Sequence, residues 1–119
     1  MKLPIHYVDE VDSTLSYAAR EIKSKSREAP FALYCDRQTG GRGRKGQTWT
    51  SPSGNIYLTI ALGEAELRGF SPSLIPLKVV TLISWWLAVE FNIRVTVKWP
   101  NDIYFAGRKL GGILCEGSS

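Results

Sequence analysis

Residues Arg94–Glu116 read RVTVKWPNDIYFAGRKLGGILCE. The stretch alternates at its start, with Val95, Val97 and Trp99 on one side of an extended chain and Arg94, Thr96 and Lys98 on the other, because successive side chains of a strand point to opposite faces. Lys98 therefore leaves the face opposite the valines. Pro100 forces extended backbone at Trp99, and Asn101-Asp102 suits a turn. Ile103 to Phe105 then leads through Ala106, Gly107 and Arg108 to Lys109 and an apolar run ending near Glu116. This is the pattern of a β-hairpin.

Upstream of it the elements alternate. Pro4 to Val8 predicts a short strand. Asp12 or Ser13 offers an N-cap to a helix through about Lys23, with Leu15, Ala18, Ala19 and Ile22 at helical spacing. Phe31 to Asp36 is a compact apolar strand, followed by a Gly-rich loop through Gly54. From Asn55 to Leu62, Ile56, Leu58, Ile60 and Leu62 alternate with Tyr57, Thr59 and Ala61, which predicts another strand. The segment from Ser73 to about Phe91 is apolar almost all round, so it predicts a helix covered on more than one side, with Trp85 and Trp86 in a core or an interface. Two helices and about six strands in this order give an α+β fold with a mixed, largely antiparallel sheet.

Composition bounds what such a fold can do. A chain of 119 residues fits one domain that buries roughly two-thirds of its unfolded surface. Fifteen basic against 11 acidic residues leave a net charge of +4, which suits an anionic ligand and is too mild to imply nucleic acid unaided. Cys35 and Cys115 are far apart and His6 is the single histidine, so a zinc site is not expected; buried, reduced thiols are expected, as in a reducing cytosol. MKLPIHYVDE lacks the apolar core of a signal peptide. The longest candidate membrane span, Val79 to Val89, is bracketed by Lys78 and Glu90. It has about half the roughly 20 residues a bilayer requires, so a soluble protein with no membrane partner is expected.

Three segments carry chemistry. GGRGRKGQTW, Gly40 to Trp49, opens with four glycines and three cations in seven residues. Glycines let successive N–H groups aim at one point as an anion nest, while Arg42, Arg44 and Lys45 add charge-assisted bonds to phosphate oxygens. Neither the nucleotide P-loop nor the dinucleotide fingerprint fits it, and alone it reads first as a solvated basic loop or a nonspecific nucleic-acid contact. KWPND, Lys98 to Asp102, places a cation at a strand end and an amide and a carboxylate on the adjoining turn; alone, it is a plain turn. RKLGGILCE, Arg108 to Glu116, sets Lys109 before two glycines where a ligand could lie against a strand; alone, Lys109 is an exposed edge lysine. Three such segments in this order are not easily a coincidence.

Together with DSTLSYA at Asp12 to Ala18, RQTGGRGRKGQTWTSPSGNIYLT from Arg37 to Thr59, KWPNDIY from Lys98 to Tyr104 and GRKLGGILCE from Gly107 to Glu116, the chain resembles the biotin protein ligases over nearly its whole length. The resemblance implies a catalytic domain with a class II aminoacyl-tRNA synthetase-like sheet carrying helices on one side. It implies an enzyme that joins biotin to ATP, with Mg²⁺, as biotinyl-5′-adenylate and passes the biotinyl group to a lysine of a biotin carboxyl carrier domain, in the cytoplasm. Ser13, Thr14 and Gln38 match positions that bind the biotin head, and Gly41, Arg42 and Arg44 the loop that closes over biotin and the adenylate. Trp49 matches the aromatic beside the adenine. Lys98, Asn101 and Asp102 match the site of phosphate and metal handling and of acceptor activation, and Lys109 the lysine contacting the biotin carboxylate and the adenylate. Arg42, Lys98, Asp102 and Lys109 are the expected catalytic set.

The resemblance also sets expectations about organisation. Residues 1–119 are expected to be one partial catalytic domain, without the family's remaining sheet, its C-terminal β-barrel or the N-terminal DNA-binding domain of the repressor-type members. A strand from about Lys109 to Cys115 would then present an unpaired apolar edge, and the chain is expected to self-associate or to bind a complementary chain. Three readings follow: a biotin ligase or a portion of one, a non-catalytic biotin or biotinyl-adenylate binder, and a small basic nucleic-acid-binding module. The last ranks lowest, because Trp49 is the only aromatic near the basic loop and base stacking would ask for more.

Overall fold

The computed structural model describes residues 2–117, which divide after Arg68 into two compact units. In the first, strand β1 (Ile5–Val11) leads to helix α1 (Thr14–Lys23), strand β2 (Phe31–Gln38) and strand β3 (Tyr57–Ala61), and a one-turn helix α2 (Glu64–Leu67) ends the unit. α1 starts where the sequence puts a cap: Ser13 is extended and its hydroxyl accepts the Ser16 amide at 2.9 Å. Arg20 and Lys23 fill the last turn, where cations complement the helix dipole. The helix is the crossover between β1 and β2, which pair in parallel with Ile5 opposite Ala32 and Tyr7 opposite Tyr34. β3 pairs antiparallel on the other side of β2, giving the order β1-β2-β3.

α1 covers one face of this sheet. Ala18, Phe31, Leu33 and Ala61 form the buried core, with Val8, Tyr17, Ile22 and Ala29 packed round it. Full burial of side chains such as Phe31 and Leu33 contributes about 1.5–3 kcal/mol each. Along β3 it is Tyr57, Thr59 and Ala61 that are buried, while Leu58 and Ile60 are exposed. Small inward side chains let α1 come close; the larger aliphatics join Ile5, Tyr7 and Tyr34 among the exposed apolar residues.

The second unit begins with a 3₁₀ turn at Pro72–Leu74 and continues as helix α3 (Ile75–Phe91), then strands β4 (Thr96–Lys98), β5 (Asp102–Phe105) and β6 (Arg108–Gly112). Pro76 sits in the first turn of α3, and the helix stops at Asn92, whose left-handed backbone (φ 54°) sends its amide back to Ala88 and Leu87. The three strands form an antiparallel meander, with Lys98 opposite Asp102 and Asp102 opposite Gly112. Ala106 and Gly107, both at positive φ, make the turn between β5 and β6.

The hairpin, the α1 cap and the mixed, largely antiparallel α+β arrangement follow the sequence pattern. Several details do not. β1 and β2 run further than expected, β3 and β4 are shorter, the strand expected from about Lys109 to Cys115 is β6 at Arg108–Gly112 and stops before Ile113, and α2 has no signal in the sequence. α3 is not covered on several sides: Val80 is its one buried residue, whereas Leu82 and Trp85 are 64% and 63% exposed and Trp86, Val89 and Phe91 are exposed too. The expectation that the apolar run is too short for a bilayer also fails on length, since the helical stretch Pro72–Phe91 is 20 residues and apolar enough to cross one by length and composition. Cys35 is buried as expected, but Cys115 is exposed; both are free thiols.

Candidate ligand-binding site

In the first unit the expected residues gather where β2 ends and α1 begins. The Thr14 amide donates to Gln38 Oε1 at 2.8 Å, Gln38 Nε2 donates to Ser51 Oγ at 3.0 Å, and Ser51 Oγ donates to the Trp49 carbonyl at 2.9 Å. Thr59 Oγ1 donates to Thr14 Oγ1 at 2.8 Å. Ser13, Thr14, Ser51 and Thr59 are all buried. Buried polar groups persist where they are hydrogen-bonded, and this cluster is bonded through four chain segments: the start of α1, the end of β2, the loop at Trp49 to Ser51, and β3.

The basic loop grows from this cluster as a narrow hairpin. Gln38 bridges Ser51, and Arg42 bridges Thr48. The Trp49 amide donates to the Gly41 carbonyl at 2.8 Å and the Gly43 amide to the Gln47 carbonyl at 2.7 Å. A 3₁₀ turn at Arg44–Gly46 closes the tip, with Lys45 at φ 56° and Gly46 at φ 74°. The Gly40 and Gly43 amides are committed to the Asp12 and Gln47 carbonyls, so these two N–H groups are not aimed at a common anion. What the loop offers an anion is its cations. Arg42 reaches back to α1, donating from Nε and Nη2 to Ser16 Oγ at 3.2 and 3.0 Å, while Arg44 is exposed at the tip and Trp49 is half-buried at the root.

One glycine is needed for space rather than for conformation. A Cβ on Gly41 would overlap the Trp49 carbonyl oxygen and lie 2.5 Å from Ser51 Oγ and 2.9 Å from Gln38 Nε2.

The loop is also tied to the helix start. The Thr39 and Gly40 amides donate to the Val11 and Asp12 carbonyls at 2.9 and 2.7 Å, and the Asp12 carboxylate takes two hydrogen bonds of 2.8 Å from Arg20. That guanidinium holds the Asp12 pKa down to about 2, from 3.8, against a smaller opposing effect of desolvation. A depressed carboxylate adds stability above its unfolded pKa, and that stability disappears as pH falls from about 4 towards 2. Asp12→Asn should therefore lower stability at about pH 6 by less than ~1 kcal/mol, as the pair is half-exposed. Thermal melts should show the gap to wild type closing by about pH 2.

In the second unit the β4–β5 turn and β6 bring Asn101, Asp102 and Lys109 together. Lys109 Nζ lies 3.3 Å from Asp102 Oδ2. Asn101 is buried, its Nδ2 donating to the Ile113 carbonyl at 2.8 Å while the Ile113 amide donates to the Asn101 carbonyl at 2.9 Å. This double tie fixes the turn that carries Asp102. Lys98 is exposed at the end of β4, its Nζ 5.5 Å from the centre of the Tyr104 ring. Among the described residues no three His, Cys, Asp or Glu side chains cluster as a metal site.

Ser51 and Thr59 escaped the sequence reading. The signal for Thr59 was present: it is the polar residue on the inward face of β3, between Tyr57 and Ala61. Ser51 sits in a loop without periodicity, and no pattern marks it.

The biotin/lipoate A/B protein ligase family model matches residues 7–119. The bifunctional ligase/repressor BirA of Escherichia coli K12 is 39% identical over 110 residues, a match that takes in 89% of this chain and 32% of that protein. A Helicobacter pylori biotin acetyl coenzyme A carboxylase synthetase, solved with bound biotinylated ATP, superimposes with a TM-score of 0.85 over 98% of this chain and 56% of its own; at 23% identity it shows the fold alone. Biotin protein ligase from Aquifex aeolicus, solved with biotin and ATP, gives a TM-score of 0.77 at 36% identity, covering 97% of this chain and 47% of that one. The chain belongs to the biotin/lipoate A/B protein ligase family, and its α+β fold is that of the biotin protein ligases. It spans about a third of the length of the curated relatives it matches.

Proposed function

We propose that residues 1–119 are part of the catalytic domain of a biotin protein ligase, which makes biotinyl-5′-adenylate from biotin and ATP and transfers the biotinyl group to a lysine of a biotin carboxyl carrier domain. The observation that carries this reading is the hydrogen-bonded cluster of buried Thr14, Ser51 and Thr59 with half-buried Gln38 at the root of the Arg42–Arg44 loop. The ureido head of biotin needs both donors and acceptors, and an amide and hydroxyls set by their own hydrogen bonds supply both. Ser13, Thr14, Gln38 and Gly41 are assigned to the biotin head, and Arg42 and Arg44 to its carboxylate and the adenylate phosphate. Trp49 is assigned to the adenine.

In the reaction a biotin carboxylate oxygen attacks the α-phosphorus of ATP, the bond to the β-phosphate oxygen breaks, and pyrophosphate leaves. The acceptor amine then attacks the acyl carbon and AMP leaves. Both reactants of the first step are anions, so Lys98, Lys109 and Arg42 act by offsetting repulsion and the charge that develops on the departing oxygen. Magnesium is usually held by one or two carboxylates and by substrate phosphates. Asp102, half-buried on an anchored turn, fits that limited role beside Asn101. When bound, the ion would neutralise phosphate charge. Asp102 is also assigned the role of taking up the proton of the acceptor amine. Mass spectrometry of a carrier domain incubated with the chain, biotin, ATP and Mg²⁺ tests this reading; an unmodified acceptor lysine would count against it.

A cytoplasmic location goes with this reading, since ATP and carboxylase acceptors are met there. Association goes with it too. Leu82, Trp85, Trp86, Val89 and Phe91 of α3 and Leu110 of β6 are exposed, and apolar surface of that kind favours a protein partner. Sedimentation equilibrium at micromolar concentration should give a mass that rises with concentration above the 13.3 kDa of one chain. A constant monomer mass would remove association from the proposal.

A further inference from the structure

We infer that Ser51 is a positioning residue for the ligand-binding cluster, a latch that sets the orientation of the Gln38 amide and holds the root of the basic loop at once. This inference rests on the biotin reading of that cluster, but its first test does not. The Ser51 hydroxyl has one proton, which goes to the Trp49 carbonyl at 2.9 Å. What it presents to Gln38 is therefore a lone pair, which can only meet the Nε2 end of the amide, at 3.0 Å. The other end of the same amide faces the Thr14 N–H, which can only meet Oε1, at 2.8 Å. A flipped Gln38 would oppose donor to donor at Thr14 and acceptor to acceptor at Ser51. The orientation is locked from both sides.

Each of these bonds uses one of the two positions at its end of the amide, so one N–H of Nε2 and one lone pair of Oε1 remain in defined directions. A fixed donor and acceptor pair is what discriminates among small polar ligands, since a rotating amide would offer either end to either group. The second half of the latch concerns the loop. Trp49 is bonded through its amide to the Gly41 carbonyl at 2.8 Å and through its own carbonyl to Ser51. Ser51 also lies against the bare Cα of Gly41 and is 5% exposed. One hydroxyl thus couples the place of Trp49 and the closed hairpin to the amide beneath them.

Two measurements decide this. In the ligand-free chain, Ser51→Ala should speed hydrogen exchange of the Trp49 and Gly43 amides by about tenfold, the loss of one hydrogen bond, while core amides such as Leu33 keep their rates. Unchanged Trp49 and Gly43 rates would overturn the latch. In calorimetric titrations with biotin, Ser51→Ala should bind about tenfold more weakly than wild type. In a Gln38→Ala background the same substitution should change affinity by less than about twofold, because the amide it orients is gone. Ser51→Thr, which keeps the hydroxyl, should restore both readouts. Equal, additive losses in the two backgrounds would mean that Ser51 supports the fold without acting through Gln38. A wild-type chain that does not bind biotin at all would overturn the functional reading instead, and the exchange rates would still decide whether Ser51 holds the loop.

Discussion

Gly41→Ala is expected to weaken biotin binding by about 30- to 100-fold, a loss of roughly 2–3 kcal/mol, the upper part of the range for forcing an extra methyl into a packed site. The added carbon would overlap the Trp49 carbonyl and crowd Ser51 Oγ at 2.5 Å and Gln38 Nε2 at 2.9 Å. Backbone oxygen has no rotamer through which to yield, so the loop root must open or the Gln38 amide must turn. Both lose the arrangement that would hold the ligand. The core of the first unit, Ala18, Phe31, Leu33 and Ala61, does not include Gly41, and the melting temperature should fall far less than affinity does. Calorimetry with biotin and a thermal melt separate the two effects. Unchanged affinity in Gly41→Ala would show that the ligand does not depend on this loop root.

Lys109→Met should slow adenylate formation by about 100-fold or more, as removal of one preorganised charge from a site of developing negative charge does elsewhere, with little change in stability. The ammonium lies 3.3 Å from Asp102, but both side chains are partly exposed, and such a pair contributes under about 1 kcal/mol to folding. Methionine keeps the length and apolar stem of the side chain, so a lost rate reports charge. Lys98→Met should behave alike, since Lys98 is exposed and its ring contact with Tyr104 is long. Either variant that exchanges pyrophosphate into ATP at the wild-type rate would remove its lysine from the proposed catalytic set.

Much of the scaffold was legible because local rules and tertiary context agree there. Ser13 caps α1, Ala18 faces the core, and Pro100 with Asn101 turns β4 into β5, each as the residue type predicts. Periodicity could not say which face of β3 is buried. Leu58 and Ile60 look like core residues, yet Thr59 and Ala61 face α1 because close helix packing favours small side chains there. The all-round apolarity of α3 points to a helix covered on more than one side, whereas Val80 is the one residue of α3 that is buried. Composition reports what a surface can bind, not whether the partner is within the chain. The glycines of the basic loop mark it as pliable, but its closure into a hairpin by the pairing of Arg42 with Thr48 is a cross-loop register that no single stretch encodes visibly. Ser51 lay hidden for the same reason, because its importance comes from three partners brought together only by folding.

Biotin-dependent exchange of labelled pyrophosphate into ATP by the purified 119-residue chain with Mg²⁺ tests the proposed adenylation directly. It reads the reversible formation of biotinyl-adenylate without needing an acceptor. Exchange should appear only when biotin is added and should drop with Gly41→Ala, Lys98→Met and Lys109→Met. Absence of biotin-dependent exchange in a folded chain that binds both biotin and ATP would contradict the proposed adenylation, and would leave the non-catalytic binder as the better description.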